Sequence, residues 1–180
     1  MLKDSDQSFG FISIVLHWVS ATTIIFLFAL GVYMTGLGYY DDWYHKGPAL
    51  HISLGILLFF ATILRLIWRS LNSKPKNLSN NKPANFAAIS IKVVLYCLIF
   101  LIAITGYLIT TAEGKAAEIF DWFNLPASML LSANQVDLAG EIHKYSAWLI
   151  IIIASLHAGA ALLHHFVFKD RTLKRMLMIK

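Results

Sequence analysis

Four long stretches without a single Asp, Glu, Lys or Arg decide what this chain can become. They cover residues 9–40, 47–64, 93–112 and 145–168. Each holds about 18 residues or more, enough for a helix rising 1.5 Å per residue to cross roughly 30 Å of hydrocarbon. None alternates polar and apolar with a period of two, which argues against a barrel. In lipid the backbone has no water to bond, and a helix satisfies its own N–H and C=O groups. The expectation is an all-α integral membrane four-helix bundle. It forms one transmembrane domain over residues 1–180, with spans near 9–38, 48–70, 90–112 and 140–168.

Composition agrees: 58% of the residues are hydrophobic and 14% charged, where soluble domains run near 25% charged. Asp4 and Asp6 precede the first run, unlike the basic start of a cleaved leader, so that run is expected to stay in the mature protein. Cys97 is the one cysteine and no CxxCH occurs, so a haem here is held by coordination and packing alone.

Four spans place both termini on one side. Twelve of the fifteen Lys and Arg residues then share that side, and only Lys46, Lys115 and Lys144 fall opposite. The positive-inside rule assigns the basic side, with both termini and the 65–92 connection, to the cytoplasm. The net charge of +5 is thereby a topology signal, and no nucleic-acid partner is needed. Seven acids lie outside, Asp41, Asp42, Glu113, Glu118, Asp121, Asp137 and Glu141. The connection 72–85 reads as a polar loop. Ile119-Phe120-Asp121-Trp122-Phe123 and Met129-Leu130-Leu131 are expected to lie flat at the outer interface, as a belt anchor sooner than a substrate lid.

Ionisable side chains inside a span are costly, so His17, His51, His143 and His157 are functional candidates. His143 and His157 are 14 residues apart. At 100° per residue they face nearly the same way, about 21 Å apart along one helix. One helix can thus serve two sites stacked along the membrane normal. His17 lies about 12 Å into the first helix from the cytoplasmic side, and His157 about 16 Å from the same side. His51 lies about 6 Å inside the outer end of the second helix, near the mouth where His143 stands. Matched depths pair His17 with His157 and His51 with His143, each pair giving two axial nitrogens to a haem iron. The competing reading, histidines bonded across helices in a protein core, suits any one of them alone better than four at two depths. Gly55, Gly106 and Gly159 leave room for a flat macrocycle, and also suit plain helix contacts. His164, on the face of His157, is a rival ligand. His164, His165 and Lys74 are candidates for a quinone or proton path, Arg65 and Arg69 for haem propionates. His45, in an outer loop, is expected not to ligate.

The motifs Ile14-Val-Leu-His17-Trp18, His51-Ile-Ser-Leu-Gly55, Leu64-Arg65-Leu66 and Gly140-Glu-Ile-His143-Lys144 resemble the bacterial cytochrome b561 family. The most specific match is His157-Ala-Gly-Ala-Ala-Leu-Leu-His164-His165, continuing through Lys169 to Met176. The resemblance covers essentially the whole chain. It implies two non-covalent haem b groups, ligated by His17 with His157 and by His51 with His143, and ubiquinone as electron acceptor. It places the chain in a bacterial inner membrane. Because one member of the family looks like a superoxide oxidase working from the periplasmic face, a superoxide:ubiquinone oxidoreductase is the favoured expectation, although the resemblance alone leaves the donor open. Two alternatives stand beside it. One is a cytochrome relay subunit for a periplasmic redox partner, which the acidic outer loops would suit better than they suit an anion. The other is a transporter, which internal repeats or interrupted helices would favour; neither is seen in the sequence.

Overall fold

The computed structural model describes residues 2–73, 75–76 and 81–177. Four helices carry the chain: α1 (Phe11–Met34), α2 (Trp43–Leu71), α3 (Lys82–Thr111) and α4 (Ala133–Phe166). A two-stranded hairpin of β1 (Ala117–Ile119) and β2 (Phe123–Leu125) separates α3 from α4, and a final turn, α5 (Lys174–Leu177), ends the described chain. All four long helices are long and apolar enough to cross a membrane. The protein is a helical membrane bundle.

The helices outrun the charge-free stretches. The second begins at Trp43 instead of near 48, the third at Lys82 instead of near 90, and the fourth at Ala133 instead of near 140. Helix geometry continues past the hydrocarbon wherever the first N–H groups find a cap. Asn81 accepts from Ala84 N at 3.2 Å, and Ser132 with Gln135 forms a capping box. Residues 82–85, expected in a loop, are therefore helical.

α1 packs along α2 and α3 along α4, with α2 against α3 joining the pairs and α1 touching α4 sparingly. Buried apolar contact is modest and local: Leu98 and Ile99 of α3 meet Ile150 of α4. Hydroxyls inside the helices satisfy themselves by bonding one turn back, as Ser20 does to Leu16 O at 2.6 Å and Thr62 to Leu58 O at 2.7 Å. Most large apolar side chains face outward, which suits lipid as the solvent.

The two ends of the bundle differ. At the terminal end, the chain's first and last described segments meet Lys76 and each other. Lys76 N donates to Asp6 O at 2.9 Å, Arg175 to Lys76 O at 2.8 Å, and Trp18 Nε1 to Met176 O at 2.8 Å. At the hairpin end, Ile119 turns into the bundle, while Trp122, Phe123, Met129 and Leu130 of the stretches expected at the interface stay exposed. Ile119 is 0% exposed and packs on Ile56 and Ala117. Ser53 of α2 staples the hairpin, donating to Glu118 O at 3.4 Å and accepting from Phe120 N at 3.2 Å. The tight turn puts Phe120 and Asp121 at left-handed φ of 45° and 57°. Trp122 stays exposed, in keeping with a belt position for that residue.

Candidate functional site

At the hairpin end His51 and His143 meet. Their ring centroids are 6.2 Å apart at an interplanar angle of 61°. With helix starts at Trp43 and Ala133, they lie about 12 and 15 Å into their helices, so their depths match more closely than the charge-free runs suggested. Each ring leans on a glycine. A Cβ at Gly31 would stand 3.4 Å from His51 Cε1, and one at Gly106 only 3.0 Å from His143 Cε1. His143 Nδ1 donates to Ile102 O at 2.9 Å, with Thr105 Oγ1 at 3.2 Å. A carbonyl only accepts, so the proton sits on Nδ1 and Nε2 keeps its lone pair, as for a metal ligand oriented by an outer partner. His51 Nδ1 is buried without a hydrogen-bond partner.

About 21 Å along the bundle, at the terminal end, the second constellation gathers. By helical rise His17 of α1 and His157 of α4 share this level. Arg65 donates to His17 Nδ1 at 2.9 Å and lies 5.6 Å over the Tyr96 ring. A guanidinium only donates, so here the neutral ring holds its proton on Nε2. For that nitrogen to take a metal, the proton must move to Nδ1 and Arg65 must turn to another acceptor close by. Arg65 and Arg69 also line a polar cleft with Asp4, Ser13 and Trp68.

One interval organises both levels. His143 and His157 are 14 residues apart, and so are His17 and Gly31, His51 and Arg65, and Lys92 and Gly106. Each helix thus gives one residue to each level, on nearly one face. Gly31, Lys92 and Thr105 were not singled out from the sequence, yet the repeated interval was there to find the first two. Gly106 does pack on a histidine, whereas a Cβ at Gly55 or Gly159 would meet nothing within 4 Å.

The remaining candidates lie elsewhere. His164 Nδ1 bonds Asp170 Oδ2 at 2.5 Å, and its ring faces Phe168. His165 keeps a buried, unpartnered Nδ1 beside Phe166. His45 belongs to an aromatic cluster with Tyr39 and Tyr44. Lys74 lies outside the described residues.

The donor set fits a haem. Among the described residues no group of three or more His, Cys, Asp or Glu gathers to hold a bare ion. Paired imidazoles suit a macrocycle that brings its own four nitrogens. Two rings with centroids 6.2 Å apart would both be within reach of one haem iron. The glycines beneath both rings let the imidazoles pack directly on the helix backbone.

The chain's relatives point the same way. The profile of the prokaryotic cytochrome b561 family matches residues 8–178. Cytochrome b561 homolog 2 of Escherichia coli K12 is 43% identical over 175 residues, covering 97% of this chain and 93% of the relative. Cytochrome b561 homolog 1 of the same organism is 27% identical, covering 91% and 93%. The probable superoxide oxidase CybB of Yersinia pestis is 24% identical, covering 95% and 96%. With four membrane-length helices and a family match over nearly its whole length, the chain belongs to the prokaryotic cytochrome b561 family of haem b membrane cytochromes that transfer electrons.

Proposed function

We propose that this protein carries two haem b groups, one per level, and moves electrons across the bacterial inner membrane from a periplasmic donor to ubiquinone. His51 and His143 hold the group at the hairpin end, and His17 and His157 the group at the terminal end. The observation that carries this reading is the His51–His143 pair, facing at 6.2 Å over two glycines. Haem b, when bound, supplies one-electron redox chemistry. The protein's own work is to fix ligands and exclude water. Ile102 O and Thr105 fix the His143 ring, and the Ser53-stapled hairpin covers that end of the bundle. The basic terminal end faces the cytoplasm in this reading, by the positive-inside rule. There Arg65 and Arg69 are placed to pair with propionates, and His164 and His165 to supply protons to quinone.

Superoxide is the favoured donor, supported by the probable superoxide oxidase among the relatives. Two superoxide anions each give up one electron to become dioxygen, and ubiquinone takes two electrons and two protons to become ubiquinol. The charge of the outer face favours a second reading, a relay that accepts electrons from a basic redox protein. Seven acids face three lysines there, and Lys115 is tied to Glu113 at 3.1 Å. Rapid mixing of oxidised protein with superoxide separates the two. Haem reduction within the mixing experiment supports superoxide, while no reduction at stoichiometric excess leaves the relay.

A further inference from the structure

The two levels differ in charge. The hairpin-end level consists of Gly31, Gly106 and two imidazoles, and its oriented ligand bonds a carbonyl, which makes that imidazole more electron-rich. The terminal-end level has Arg65 2.9 Å from one imidazole, and Lys92 on the face of α3 that carries Gly106, 14 residues and about 21 Å away along that helix. Arg69 lines a cleft together with Arg65. Among the described residues none of the three forms an ion pair with a carboxylate. Asp4 lines the same cleft, but its oxygens accept from Gly10 N at 2.6 Å and Ser13 Oγ at 2.8 Å. Topology alone accounts for cations near a cytoplasmic boundary, where long stems reach outward to water. It does not account for Arg65 turned inward at the His17 ring, a place from which its charge still acts on that level after it changes acceptor.

A fixed positive charge stabilises whichever state of a nearby centre holds one more electron. We infer that Arg65 and Lys92 set the direction of electron flow, by holding an electron at the His17/His157 level in preference to the His51/His143 level. This rests on the two-haem reading. Each transfer oxidises the hairpin-end centre by one electron and reduces the terminal-end centre by one, with no bond made or broken. Arg65 and Lys92 are positioning residues. Carboxylates that the bound group brings are the same in every variant, so differences between variants report the side chains.

The test is a potentiometric titration of the full-length protein, followed at the haem absorption bands. Wild type is expected to show two one-electron waves. His143→Ala keeps the terminal-end wave, which identifies it, and that wave is expected to be the higher. Arg65→Gln and Lys92→Gln should each weaken electron affinity at that wave about tenfold or more, about 59 mV downward for a one-electron couple. The other wave should stay in place, and Arg65→Lys should restore most of the shift. The inference is overturned if the wave kept by His143→Ala is the lower one. It is equally overturned if Lys92→Gln leaves the wave in place, or moves both waves alike. Should Arg65→Gln lose its haem, Lys92→Gln decides by itself. A wild-type protein without two waves contradicts the two-haem reading instead.

Discussion

Gly106 is the residue where the site has least slack. A Cβ there would meet His143 Cε1 at 3.0 Å and Nδ1 at 3.3 Å, closer than ordinary packing allows. Gly106→Val should push the ring off its bond to Ile102 O and remove the hairpin-end haem, leaving about one haem per chain. Gly159→Ala, with open space around it, should keep both; equal haem content in the two variants would contradict the cradle. The histidines were legible in the sequence because an ionisable group in an apolar run is expensive. Gly31 was not, because a glycine in a membrane helix serves equally well for plain helix contact. The tautomers of His17 and His143 were illegible, since each is fixed by a partner from a different helix, Arg65 and Ile102.

Among the elements, the helices announced themselves through missing charge, whereas their starts did not. Caps at Asn81 and Ser132 decide those starts, beyond the point where hydropathy changes. The hairpin was harder to read. Its three-residue strands carry almost no pattern, and Ile119 is buried only because Ile56 receives it. The C-terminal segment 167–177 docks through Asp170. Burial pushes this carboxyl up, but bonds from Thr172 and His164 outweigh that and hold it below the ordinary carboxylate range. A depressed folded value means stability present at neutral pH and lost as acid protonates the group. Hydrogen exchange in 167–177 should therefore quicken below about pH 4. Asp170→Asn should exchange quickly already at pH 7; protection equal to wild type there would show that the carboxylate does not anchor the segment.

At the scale of the whole molecule, one 14-residue interval on four antiparallel helices builds two levels of different character. One is neutral and rests on glycines; the other is cationic and lies beside both termini. The family match over residues 8–178 makes the chain a membrane cytochrome, and two cofactors at two depths are what the proposal adds from the positions of the four histidines. The sequence could suggest the depths because helical rise converts residue number into distance. It could not reveal the charge contrast, which depends on Arg65 of α2 turning toward the His17 ring on α1. The most direct measurement is the haem-to-chain ratio of the purified full-length protein, from haem absorbance and amino-acid quantitation. The account predicts two haems in wild type, and one each in His143→Ala and His157→Ala. A wild-type ratio of one or none, or single variants that retain both haems, would contradict it.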